Sequence, residues 1–170
     1  MIRRRPVAAS VVCLFLAAGL VGCGGGGKDK GTKVTIDTSG PGEKTEGTVV
    51  TLKAALKGTD EVPGPGVANG VGAFLIDIGG GKGCYDLKAT MGEKPTAAHI
   101  HQAAAVASGP VVVDLKPAFQ PGESAFTAKQ CVDLPTEIAG KLIADPAAYY
   151  VNVHSEGHPA GAIRGQLAKF

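Results

Sequence analysis

From residue 48 onward, apolar and polar positions alternate in short runs broken by glycine, proline and charge, the period-two signature of half-buried strands. Residues 49–56 alternate Val, Leu, Ala and Leu. Residues 70–78 place Phe74, Ile76 and Ile78 on one face and Val71, Ala73 and Leu75 on the other. Gly79-Gly80-Gly81-Lys82-Gly83 then supplies a tight hairpin, because glycine accepts the positive φ such turns demand. The return strand is 84–90. Runs at 96–101, 110–115, 149–154 and 162–168 bring the set to about seven strands, and 124–131 can add an eighth. One segment breaks the period: apolar residues at 134, 138, 139, 142 and 143 have helical spacing, Pro135 suits a first turn and Pro146 stops it. The pattern predicts an all-β domain over 48–170, a Greek-key-like β-sandwich or barrel of 7–8 strands with one short helix near 135–144. About 120 residues suffice to bury roughly two-thirds of the chain's surface around a single core.

Chemistry concentrates in the histidines. All four lie in two clusters, His99 and His101 in the first and His154 and His158 in the second, each at the end of a strand-like run. Two residues apart on a strand, His99 and His101 point to one face with Cα atoms about 6–7 Å apart, close enough to share an ion. The turn after His154 can fold His158 back beside it. Four converging imidazoles would suit copper or zinc, a tetragonal set favouring Cu(II), with Glu156 as an oxygen ligand or a partner orienting a ring. The alternative is that these polar side chains knit two strand ends by hydrogen bonds and hold no metal. Arg164, in an otherwise apolar strand, is expected to make a salt bridge to Asp60, Glu61 or Asp114. The adjacent carboxylates Asp60 and Glu61 point apart on an extended chain, the glycine run lacks the Lys-Ser/Thr and helix of a phosphate loop, and Ser155 lacks a nucleophile elbow. Nothing here signals a hydrolase.

The N-terminus reads as an address. Arg3, Arg4 and Arg5 precede a 16-residue apolar run, short for a membrane span and of secretory length. It ends in Leu20-Val21-Gly22-Cys23, which resembles the bacterial lipobox; the resemblance implies cleavage of residues 1–22 and a diacylglycerol on Cys23. An ordinary signal peptide or an uncleaved anchor are the alternatives. Removing 1–22 takes three arginines and no acids from the 17 basic and 15 acidic residues, leaving 14 against 15, a net charge of −1. No electrostatic case for nucleic-acid binding survives. Residues 23–47, glycine-rich with Val34 and Ile36 as the large aliphatics, read as a flexible tether of about 27 Å r.m.s. span, with a short strand at 33–37 as the competing reading. With Cys13 in the signal and Cys23 lipidated, Cys84 and Cys131 remain as a pair that an oxidising compartment would join. A thiolate metal site or redox pair is the other option.

Five motifs in order resemble the CHRD domain, a family named from chordin and frequent in bacterial secreted proteins and lipoproteins. They are Leu56-Lys57-Gly58-Thr59-Asp60-Glu61-Val62-Pro63, Thr96-Ala97-Ala98-His99-Ile100-His101, Gly109-Pro110-Val111-Val112-Val113-Asp114-Leu115, Tyr150-Val151-Asn152-Val153-His154 and His158-Pro159-Ala160-Gly161-Ala162-Ile163-Arg164-Gly165-Gln166-Leu167. The resemblance covers about residues 50–168 and implies a β-fold without naming a reaction. The Cys84/Cys131 pair and an Ala-rich 102–108, where members often carry Gly and Pro, depart from the family pattern. A second resemblance is to copper/zinc superoxide dismutases. It implies His99, His101 and either His154 or His158 as copper ligands and Arg164 as an anion guide, but the zinc-site histidines and aspartate are missing. The sequence therefore leads to an exported lipoprotein, anchored to the cell envelope through lipid, carrying a binding domain that can hold a metal. A copper-dependent oxidoreductase is one alternative. An adhesion or matrix-interaction domain with structural histidines is the other, its partner unnamed by the sequence.

Overall fold

The computed structural model describes residues 48–119 and 125–170; the segments expected to be a signal and a tether, and Cys23 between them, lie outside the described residues. The described strands are β1 (Val50–Lys57), β2 (Val71–Gly79), β3 (Lys82–Thr90), β4 (Pro95–Gln102), β5 (Val111–Asp114), β6 (Ala125–Asp133), β7 (Tyr149–Ser155), β8 (Ile163–Gln166) and β9 (Ala168–Lys169), with helix α1 at Thr136–Ala144. They form one curled antiparallel sheet in the order β5-β4-β7-β8-β1-β2-β3-β6, with β9 paired to β1. β7 lies beside β4, and β6 beside β3, so these connections cross between strands that are not sequence neighbours, and among the described residues the ladder is open between β5 and β6. The all-β reading with one helix therefore holds.

Alternation decides which side chains face inward. Ala54, Phe74, Leu87 and Ala128 are successive cross-strand partners over β1, β2, β3 and β6, and all four are buried. Ile100 and Val151 continue the inner layer across β4 and β7. In β2 the inner face is Phe74, Ile76 and Ile78, while Val71 and Leu75 face solvent, so the two-faced pattern of 70–78 resolves as one wet and one dry side. Gly80 and Gly81 have φ of +59° and +74°, the conformation the hairpin requires of them. Cys84 and Cys131 are directly opposite on β3 and β6 and form a disulfide.

Two details differ from the sequence pattern. The run 162–168 is two strands: β8 pairs with β7, and after Leu167 the chain shifts to pair Lys169 with Leu52 of β1. The helix begins at Thr136 with Pro135 as its N-cap residue, one position before the first turn.

β7 also fails to alternate. Tyr149 through Val153 are all buried, because the connection between β4 and β5 folds over the face away from the core. Four polar contacts fasten it there. Arg164 Nη2 donates to Ala104 O at 2.9 Å, and Gln166 Nε2 to Ala103 O at 2.7 Å. His101 Nδ1 lies 2.9 Å from Gly109 O, and Gly109 N donates to Tyr150 Oη at 3.3 Å. The histidines sit on this covered outer face.

Candidate metal centre

β4 and β7 are neighbours with Ala97 opposite His154, His99 opposite Asn152 and His101 opposite Tyr150. His99 and His101 thus share the outer face of β4, and His154 is the diagonal neighbour of His99 across the ladder. One ligand nitrogen from each of the three lies within 4.8 Å of the others. Tetrahedral ligation at about 2.0–2.1 Å places nitrogens roughly 3.3 Å apart, so a closure of up to about 1.5 Å assembles the triad around an ion.

Proton positions follow from the acceptors. A neutral imidazole has one N–H. His101 spends it on Gly109 O through Nδ1, and its Nε2 is buried with no protein partner. His154 donates Nδ1–H to Pro159 O at 3.0 Å, which turns its Nε2 lone pair toward His99. His99 Nδ1 is 3.0 Å from that Nε2 and supplies the proton between them, while its own Nε2 faces Asp114 Oδ1 at 3.9 Å. An ion would take the place of the His99 Nδ1 proton. Each ring then has its second nitrogen turned to an oxygen, the outer arrangement that fixes metal-binding histidines. Burial, with His101 adjacent, holds His99 below the ordinary imidazole range, and Asp114 opposes this weakly. Burial lowers His154 too, against the upward pull of its bond to Pro159 O. Both rings are therefore neutral near pH 7, the form that ligates.

The fourth histidine stands apart. Ser155 N and Gly161 N both donate to His158 O, and Ser155 Oγ accepts from His158 N. This turn aims the ring at Glu93, with Nδ1 3.0 Å from Oε2, and Ser155 Oγ donates to the same carboxylate oxygen. Three imidazoles converge, and the fourth closes a loop. Glu156 is exposed and belongs to no ligand group among the described residues.

Arg164 also differs from expectation. No ion pair to Asp60, Glu61 or Asp114 forms among the described residues; its guanidinium carbon lies 3.4 Å from the Tyr150 ring centroid and Nη2 bonds Ala104 O. Tyr150 in turn stacks on His101 at 4.9 Å and 9°. Because β4 and β8 flank β7 on opposite sides, the tyrosine stands between the guanidinium and the histidines. Asp114, Glu93 and Tyr150 are the contacts that sequence reasoning missed in these roles. Asp114 was legible as the acid closing a Gly-Pro-Val-Val-Val-Asp strand, but only the β4–β5 register puts it opposite His99. Glu93 lies in a connection that carries no signal.

No curated protein and no solved structure gives a significant match to this chain. The model of the CHRD domain matches residues 52–167, a span holding every strand that carries the histidines, Tyr150 and Arg164. The chain belongs to the CHRD domain family.

Proposed function

We propose that this CHRD domain is a binding module holding one transition-metal ion, copper or zinc, on His99, His101 and His154. The observation that supports it most is His101 Nε2: a buried lone pair without a protein partner, beside two neutral imidazoles whose other nitrogens are already engaged. Imidazole suits copper and zinc, and three protein ligands leave a position open for water or substrate. Copper-dependent dismutase-like chemistry would use that open position. We further propose that the chain is exported and carried on lipid at Cys23 in the cell envelope, with no role for nucleic acid.

The direct bond between His99 and His154 favours a second reading, an adhesion or matrix-interaction domain in which the rings only tie β4 to β7. Calorimetry of the detergent-solubilised full chain with Cu(II), Cu(I) and Zn(II) separates the two. One ion per chain at micromolar affinity or better, lost in the triple His99→Ala/His101→Ala/His154→Ala variant, supports the metal centre. Superoxide turnover by the copper-loaded chain then tests the enzyme. Absence of binding, with the variant merely less stable, favours the adhesion reading. Mass spectrometry of the mature N-terminus tests the anchor: a diacylglycerol thioether at Cys23 is expected, and an unmodified or uncleaved chain overturns it.

A further inference from the structure

Five other buried polar atoms lack a protein partner among the described residues, and three of them lie close together: Nη1 of Arg164, Oε1 of Glu61 and Oε1 of Gln166. Their residues line one cleft of about 480 Å³ between the turn at 59–62 and the tip of the β4–β5 connection. An unmatched buried donor or acceptor is costly, more so when charged, so three in one place ask for a partner. Arg164 is 1% exposed and Glu61 6%. The opposite sides of the groups are already fixed: Arg164 Nη2 to Ala104 O, and Gln166 Nε2 to Ala103 O and Ala147 O. Glu61 is wedged where a Cβ on Gly161 would lie 2.4–2.6 Å from its carboxylate. The rigid groups therefore leave one cationic donor and two acceptors unmatched. The cover is slight, an exposed tip with one internal bond, Ala107 N to Ala104 O, and Val106 87% exposed.

The charge pattern selects the ligand. A simple anion would satisfy Arg164 and leave two oxygens facing its charge, and a simple amine would leave Arg164 unmatched. A molecule with both charges a few bonds apart satisfies all three. We infer that the cleft recognises a small zwitterion, an α-amino acid with an apolar side chain. Its carboxylate meets Arg164, its ammonium lies among Glu61, Gln166 and the rim carboxylate of Asp60, and its side chain packs on Val62 and Val106. The assignment does not rest on metal binding at the histidines.

The test is thermal denaturation and calorimetry of the full-length chain with L-leucine, and with isocaproate and isoamylamine, which each keep one of its charges. Leucine should raise the melting midpoint saturably, each half-ligand should bind at least about ten-fold more weakly, and Arg164→Gln should abolish the shift. Should Arg164→Gln fail to fold, Val106→Trp, at an exposed position, fills the cleft and should remove leucine binding from a folded protein. No saturable shift with leucine, isocaproate binding as tightly as leucine, or leucine binding unchanged in Val106→Trp would each overturn the assignment.

Discussion

His101 divides its two nitrogens between a backbone carbonyl and an empty direction, and that division separates the residues that should matter to a metal from those that should not. Asp114→Asn removes the carboxylate behind His99 and should weaken copper or zinc binding by about 10–100-fold, the usual effect of losing an outer partner. His158→Ala and Glu156→Gln should leave affinity within about two-fold, because neither side chain joins the triad. Calorimetric titration of the three variants checks this, and a large loss in His158→Ala would restore a four-histidine centre. The shared face of His99 and His101 in β4 was legible because it follows from strand periodicity. The choice among the four was not, since the turn holding His158 depends on Glu93, 65 positions away in the chain. Glu61 carries a separate prediction. Burial raises its carboxyl from 4.5 to about 7, Arg164, the Val62 N–H and His158 opposing and Asp60 assisting. Between those values the folded chain holds a proton that the unfolded chain releases, so this contribution falls as pH rises and is gone above about 7. His99 and His154, lowered from 6.5, act in the opposite sense on the acid side of that value. Denaturant titrations at about pH 5 and about pH 8, comparing the native chain with Glu61→Gln, isolate the contribution of this carboxyl. The native chain should lose stability relative to the variant on going to the higher pH, and parallel pH profiles would refute the assignment.

At the scale of elements, strand positions came through in the sequence because burial alternates cleanly on β1, β2, β3 and β6. The reading was weakest where tertiary cover overrides period two. β7 is buried on both faces, and the break at Leu167 exists because the chain passes from pairing with β7 to pairing with β1. The junction of β8 with β1 is tight for the same reason: a Cβ on Gly165 would stand 2.1 Å from Ala55 O, a backbone atom that cannot move without displacing β1. Gly165→Ala should therefore cost at least about 1–3 kcal/mol, as overpacking does in a filled interior. Gly140 makes the contrast. It lies mid-helix in α1 with no atom within 4 Å of an added Cβ, and Gly140→Ala should stabilise by up to about 1 kcal/mol through helix propensity and a less flexible unfolded chain. Urea midpoints of the two variants should move in opposite directions. A neutral Gly165→Ala would mean that β8 can slide away from β1, and the Arg164 and Gln166 side chains with it.

In the molecule as a whole, the sheet has two four-stranded parts, β5-β4-β7-β8 with the histidines and β1-β2-β3-β6 with the disulfide, joined where β8 and β9 meet β1. Among the described residues the end strand of the second part, β6, pairs with β3 alone, since the ladder is open toward β5. The Cys84–Cys131 bridge spans 47 positions and lies within that one ladder, so it acts twice. By limiting the unfolded chain it stabilises the fold by about 4 kcal/mol on the loop-entropy account. By joining β3 to β6 it also opposes local opening of the sheet's end. The two effects have different signatures. Replacing both cysteines by serine should lower the urea midpoint for every probe, and should also make the β6 amides exchange hydrogen before those of β4 and β7, with metal affinity at His99, His101 and His154 retained. Equal acceleration across both parts would leave only the unfolded-chain effect. Loss of metal affinity in the serine variant would mean that the parts are coupled through β1 and β8 far more strongly than their short pairing suggests.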